Sequence, residues 1–369
     1  MINVLHFYKT YYPDSFGGVE QVIYQLCEGS REHGINAQVL SLSSRGHQEN
    51  QAVGHHLAHC EKMNFSLAST PFSWSVIKKF KELAKKADII HYHFPYPFMD
   101  LLHFATAINK PTLVTYHSDI VKQKMALKLY QPLMTAFLKR VDCIVASSPN
   151  YVQTSPILQK FEQKVQVVPF GLNNASYPNI TDAESKYWTE KFPTPFFLFI
   201  GAFRYYKGLH FLIEAAKGAD YPIVIIGSGP SELELKQQAL KNGITNVHFV
   251  GAVSDKDKVA LLKLCYGIVF PSHLRSEAFG ISLLEGAMYN KPLISCEIGT
   301  GTTYINIDKQ TGLAISPANP DALRHAMDLL WSSPKLANEY GSNAGLRFNS
   351  VFTYSKMIEN YSRIYHELL

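Results

Sequence analysis

Short apolar runs recur along the chain, each closed by Gly, Pro or a polar turn and followed by apolar residues at helical spacing. In the first half the runs lie at 3–7, 37–42, 88–92, 111–115, 141–146 and 165–168, and the spacing predicts helices at 19–33 and 99–108. In the second half they lie at 196–200, 223–226, 247–249, 267–270 and 293–296. Helical stretches follow at 209–217, 231–241 and from 256, then at 321–330, 335–343 and 354–369. Strand, helix and strand in succession build a mostly parallel sheet covered on both faces. Two such series predict an α/β protein of two Rossmann-like domains, 1–172 and 196–352. A linker is expected at 173–195, where Pro178, Pro193 and Pro195 interrupt the periodicity. The last segment, 353–369, is long enough to cross back onto the first domain. Ligands of such sheets bind beyond the carboxyl ends of the strands, so the two domains are expected to face a cleft that closes and excludes water.

The polar turns carry the candidate chemistry. The run at 267–270 ends in Pro271 and opens into SHLRSEAFGISLLEG, 272–286, a loop and then a helix start near 279–281. Glu277 sits in the loop and Glu285 one turn into the helix. Eight residues apart, they share no helix face by spacing alone, but a tight turn between them lets both reach one ligand. The bland alternative is a solvated loop Glu and a local cap. The loop GAFRYYKG, 201–208, sets Arg204 and Lys207 three apart at a strand-to-helix junction, a candidate anion clamp backed by free N–H groups. EIGTGTTYIN, 297–306, offers N–H and hydroxyl donors of the kind that cradle a diphosphate.

In the first half, Gly17 and Gly18 lie where a backbone turns sharply or passes close to a ligand, though the pattern is not GxGxxG. His91 and His93 alternate with Tyr92 and so share one face of a strand. His117 follows the strand at 111–115, where it is either a ligand contact or a satisfied structural histidine. The His-rich stretch 43–70, with His47, His55, His56 and His59, reads as a surface loop with a hairpin. Ser147 or Ser148, and Ser254, are helix caps.

Composition narrows the classes. With 369 residues, 46% of them hydrophobic, the chain can bury two cores. Cys27, Cys60, Cys143, Cys265 and Cys296 are odd in number and lack CxxC spacing, which argues for a reducing compartment and against a zinc site. No signal peptide or spanning helix is expected. A formal charge of +5 is too diffuse to suggest nucleic acid. Lys78, Lys79, Lys81, Lys85 and Lys86 cluster with Phe72, Trp74 and Phe80. Lys122, Lys124, Lys128, Lys139 and Arg140 interleave with Leu127, Leu129 and Leu133. Both suit an anionic membrane surface, or else an ordinary solvated helix face.

These motifs resemble the retaining glycosyltransferases of family 4, of the two-domain GT-B fold. The resemblance covers essentially the whole chain. It rests on the E-x7-E pair Glu277 and Glu285, on GGVE at 17–20 and on GAFRYYKG. HFPYP and YHSD are similar to stretches in bacterial O-antigen transferases. The resemblance implies that Glu277 contacts the donor sugar, Glu285 the donor ribose, and Lys207 and the Gly18 N–H the diphosphate. It places His117 beside the donor sugar and the N–H groups of Phe279, Gly280 and Ile281 near the donor. No metal or other cofactor is implied. The family usually has Arg after the first Gly of the cation loop, where this chain has Ala202. Arg204, two positions on, is expected to replace it in part.

The resemblance further implies a reaction that moves a hexose, with retained configuration, from a nucleotide-diphosphate sugar to a hydroxyl of a lipid-linked glycan or polysaccharide. GDP-mannose is the expected donor, with a UDP-hexose or UDP-N-acetylhexosamine as the rival. Lys207 and Arg204 would stabilise the leaving diphosphate, whose oxygen takes the acceptor proton in a same-face attack. A cytoplasmic enzyme, peripheral on the inner membrane, fits that acceptor. Other readings are a non-catalytic nucleotide-sugar binder, a phosphorylase or a soluble-acceptor synthase on the same scaffold.

Overall fold

The computed structural model describes residues 1–46, 48–67, 70–120 and 124–369. The chain divides into two compact units, Met1–Phe170 with Tyr354–Leu369, and Gly171–Thr353.

In the first unit the strands are β1 (Ile2–Phe7), β2 (Ile35–Ser43), β3 (Gln48–Val53), β4 (His56–Lys62), β5 (Phe65–Leu67), β6 (Thr70–Phe72), β7 (Ile89–Phe94), β8 (Thr112–Tyr116), β9 (Cys143–Ala146) and β10 (Val165–Val167). Eight of them form one sheet in the order β10-β9-β8-β7-β1-β2-β4-β3, while β5 and β6 pair separately. The sheet is parallel except for β3 against β4. From β1 the chain goes to β2 on one side, while β7 and β8 lie on the other, so the order reverses between β1 and β7. Strand β7 is buried at every position, as a parallel strand covered on both faces must be. Its two histidines are therefore core residues. The C-terminal helix Tyr354–Glu367 belongs to this unit, and its Tyr365 hydroxyl lies 2.7 Å from His91 Nδ1.

The His-rich stretch departs from expectation. The hairpin exists, but β4 is a member of the main sheet, and His56 and His59 are buried. Burial is tolerated because the polar atoms find partners. His56 Nδ1 meets Glu28 at 2.7 Å and its Nε2 meets the Tyr11 hydroxyl at 2.9 Å. His47 and Lys122 lie outside the described residues, as does the side chain of Lys124. The helix expected at 19–33 runs Gly18–Gly29 and tightens into a 3₁₀ turn at Ser30–His33.

In the second unit β11 (Phe197–Ile200), β12 (Ile223–Ile226), β13 (Val247–Gly251), β14 (Gly267–Phe270), β15 (Leu293–Cys296) and β16 (Gly312–Ile315) form a parallel sheet ordered β13-β12-β11-β14-β15-β16. FLFI, IVII, GIVF and LISC are buried throughout, which is why they read as apolar runs, broken only by Ser295. Residues 173–195, expected as a linker, fold as part of this unit. Thr181 and Glu184 form a capping box for the helix Asp182–Lys191. Trp188, in that helix, donates its indole N–H to Asp257 Oδ1 at 2.7 Å, in the helix Asp255–Leu264. That long-range bond has no periodic signal in the sequence.

All five cysteines are free. Among the described residues no helix is long and apolar enough to cross a membrane.

Candidate active site

In the second unit the strand order reverses between β11 and β14, and the loops that leave these two neighbours carry the candidate cation and acid. After β11 the backbone reaches a 3₁₀ turn, Tyr205–Lys207, closed by Gly208 at φ 72°. A Cβ at Gly208 would stand 2.0 Å from the carbonyl oxygen of Pro271, so only glycine lets this loop lie against the one after β14. That contact brings Lys207 and Glu277 into an ion pair, with each side chain only 12% exposed. Ser272 Oγ donates to the same carboxylate oxygen at 3.1 Å, and Lys207 Nζ lies 4.7 Å from the Phe270 ring centroid. Burial, with the Glu277 charge beside it, raises the pKa of the neighbouring Tyr206 hydroxyl.

Ala202 and Arg204 are both exposed and flank the buried Phe203, about which the chain turns, with the Arg204 N–H donating to Ala202 O at 2.9 Å. The shared face expected from strand-like spacing does not follow from this turn, and Arg204 lies exposed on the loop that holds Lys207.

Glu285 is held by residues the sequence did not single out. It lies in the helix Ile281–Met288 and is buried. The Tyr177 hydroxyl donates to its Oε1 at 2.9 Å, and Lys258 Nζ lies 2.9 Å from the same oxygen. Burial alone would lower the Lys258 pKa, but the carboxylate overrides it and the pKa is raised. Tyr177 came from the expected linker and Lys258 from an ordinary charged helix, so neither stood out. Gly280, at φ 105°, makes the left-handed turn that starts this helix, and Phe279 is buried against Phe352. The Ser282 hydroxyl ties the first turn to the Ile200 carbonyl of β11 at 2.8 Å.

In the Gly/Thr-rich loop at 297–306, several of the donors expected to form a cradle are engaged within the protein. Gly301 N–H donates to Ala278 O at 2.8 Å and Gly299 N–H to Glu297 Oε1 at 2.8 Å. Thr300 and Thr302 are fully buried, with the Thr302 hydroxyl on Cys296 O at 3.2 Å. The Gly301 bond ties the loop to the segment that carries Glu277.

In the first unit Gly17 and Gly18 open the helix Gly18–Gly29, after a loop fastened by Glu20. Thr10 and Ser15 hydroxyls donate to Glu20 Oε1 at 2.8 and 2.7 Å, and a Cβ on Gly17 would strike that carboxylate at 2.5 Å. His117 follows β8 and stacks on Phe170. Its Nε2 lies 2.9 Å from His93 Nδ1, and His93 Nε2 lies 3.0 Å from His6 Nδ1. Burial holds the His6 and His117 rings neutral, with pKa values lowered to about 3, and lowers His91 and His93 as well. His6, His91 and His93 offer ligand-type atoms within 4.8 Å of one another. They do not fit a metal as they stand: both nitrogens of His93 are bonded to rings, and those of His91 to Tyr365 and Thr115.

The structure therefore brings Lys207, Glu277 and Gly280 together in the second unit, and gathers His117 with His6 and His93 in the first.

Two family models match the chain: "Glycosyltransferase Family 4" over residues 16–175 and "Glycosyl transferases group 1" over 182–347. D-rhamnosyltransferase WbpZ of Pseudomonas aeruginosa is 56% identical, over 95% of this chain and 92% of its own. O-antigen chain mannosyltransferase C of Escherichia coli is 51% identical over 100% and 99%. Among solved structures, sucrose-phosphate synthase from Thermosynechococcus elongatus superposes with a TM-score of 0.81 at 18% identity, covering 100% of this chain and 99% of the other. Anabaena Alr3699/HepE in complex with UDP and glucose gives 0.80 at 15%, covering 100% of both chains.

Proposed function

The chain belongs to the family 4, group 1 glycosyltransferases with the GT-B fold, and from that premise we propose that it transfers mannose from GDP-mannose, with retention, to a lipid-linked O-antigen glycan. The Lys207–Glu277 pair at the β11/β14 switch carries the reading. A strand-end cation suits a diphosphate, and an acid beside it suits sugar hydroxyls. Lys207, with Arg204 on the same loop, takes up the charge that develops on the leaving diphosphate. Glu277 orients the hexose, and Glu285, braced by Tyr177 and Lys258, holds the ribose. The N–H groups of Phe279, Gly280 and Ile281 face the donor, and the first-unit helix start at Gly17 and Gly18 approaches the diphosphate. His117 touches the donor sugar. The leaving phosphate oxygen takes the acceptor proton as the new bond forms on the same face. Cationic side chains do the work of a metal, and none is required.

D-rhamnose, mannose without its 6-hydroxyl, is the second donor reading, favoured by the 56% identity to a D-rhamnosyltransferase. Competing GDP-mannose and GDP-D-rhamnose on a polyprenyl-diphosphate-linked acceptor tests both, and NMR of the product anomeric centre tests retention. Products from UDP-sugars alone would overturn the donor assignment.

A lipid-linked acceptor places the enzyme on the cytoplasmic face of an anionic membrane. Support comes from Phe65 and Leu67, exposed on β5, and from Trp74, exposed at the start of the helix Ser75–Lys86, whose Lys78, Lys81, Lys85 and Lys86 are exposed. Leu129, Lys128, Lys139 and Arg140 are exposed on the helix Lys124–Arg140.

A further inference from the structure

The histidines of β1, β7 and the end of β8 form one hydrogen-bonded file. His6 Nδ1 meets His93 Nε2 at 3.0 Å, and His93 Nδ1 meets His117 Nε2 at 2.9 Å. All three rings are buried: His6 and His93 have no solvent exposure, and His117 keeps 7%. At the inner end His6 Nε2 is buried without a hydrogen-bond partner. His91 stacks on His93 but stands outside the file, its nitrogens 2.7 Å from Thr115 Oγ1 and the Tyr365 hydroxyl.

Three neutral rings carry three protons, and each of the two contacts needs one. Only two arrangements satisfy both. In the first, His6 Nδ1–H donates to His93, His93 Nδ1–H donates to His117 Nε2, and the third proton sits on His117 Nδ1. In the second every proton moves to the other nitrogen of its ring, which leaves an N–H on His6 Nε2 with no acceptor. The rings switch together, because a mixed state sets two lone pairs or two N–H groups against each other. An orphaned buried N–H is rarer than an under-satisfied acceptor, which favours the first arrangement.

We propose that His93 and His6 are positioning residues that fix the tautomer of His117, so that His117 presents an Nδ1–H donor on the side of its ring away from His93. Burial keeps the rings neutral and the proton count at three: His6 and His117 are lowered to about 3, and His93 lies well below the ordinary histidine value. The inference rests on the reading that His117 touches the donor sugar. A hydroxyl oxygen of that sugar then receives a donated hydrogen bond from a ring that cannot swap its proton to Nε2.

Nitrogen-15 NMR of the full chain, labelled in the histidine rings and free of donor, reads the tautomer of each ring, with H117Q assigning the signal. The expected result is His117 protonated on Nδ1. In His93→Phe the signal moves toward the other tautomer or an average of the two, and kcat falls about tenfold with less change in KM, the scale of one misdirected hydrogen bond. His6→Phe, two hydrogen bonds away, moves the same signal in the same direction, which a local packing defect at His93 would not do. A wild-type His117 protonated on Nε2, or a signal unmoved by both variants, overturns the proposal. So does a tautomer shift with unchanged kcat in a wild type whose turnover needs His117. If H117Q turns over normally, it is the placement of His117 at the donor that fails, and the NMR result stands apart from it.

Discussion

Lys207 and Glu277 lie seventy positions apart in sequence and form one ion pair, shielded from water on the Phe270 ring. The pair links the loops that leave the two strands flanking the switch point, so the same contact shapes the site and holds it ready.

Removing either partner leaves a mostly buried charge alone. Lys207→Met and Glu277→Gln are each expected to cost about 1–3 kcal/mol in urea unfolding, and the double variant less than their sum. Turnover is expected to fall about 10²–10³-fold in Lys207→Met, the loss usual when one charge-stabilising donor is removed. Arg204→Ala, exposed on the same loop, should lose donor affinity with little change in stability. Unchanged donor affinity would remove Arg204 from the site.

Gly208→Ala must strain both loops at once, through φ 72° and a Cβ set 2.0 Å from Pro271 O. A loss of about 1–3 kcal/mol and of most activity is expected. A melting temperature equal to wild type would show that the two loops do not touch in solution.

The Lys258–Glu285 pair sets a limit at alkaline pH. The folded-state pKa of Lys258 is raised, so its contribution is fully present below the ordinary lysine value and is lost as pH rises through the raised one. Glu285→Gln should weaken donor binding at neutral pH and remove that part of the alkaline stability profile. A profile identical to wild type between pH 9 and about 11 would contradict the pairing.

The histidine file sets the limit at acid pH. With folded values of about 3 for His6 and His117, the unfolded chain binds protons that the native rings refuse. Stability is full above about 6.5 and falls as pH drops from there toward about 3. His56 faces His6 and Lys9 faces His117, and both charges push the same way as burial. His6→Phe should flatten that part of the curve in denaturant titrations from pH 7 to 4. An unchanged slope would mean that the ring takes up a proton while folded.

Much of this was legible in the chain and some was not. The parallel sheets announced themselves because strands buried on both faces are mostly apolar, and Gly280 and Glu277 stood out because a turn and an acid follow such a run. Strand β16, half exposed and written GLAI, carried no such signal. Alternation alone put His91 and His93 on one face, but it could not show which neighbours they meet. His6 joins them through the parallel register of β1 on β7, which opposes it to His91. Tyr177 and Lys258 reach Glu285 from distant segments of ordinary composition. The threonines at 300 and 302 have the composition of a cradle, and only their burial shows that their hydroxyls face inward.

The central claim is that the paired loops of the second unit hold a nucleotide sugar for transfer. Transfer of labelled mannose from GDP-mannose to a polyprenyl-diphosphate-linked acceptor, with EDTA present, should proceed in the wild type and fall at least about a hundredfold in Lys207→Met. Equal rates in the two proteins, or a rate abolished by EDTA and restored by a divalent metal, would contradict the account.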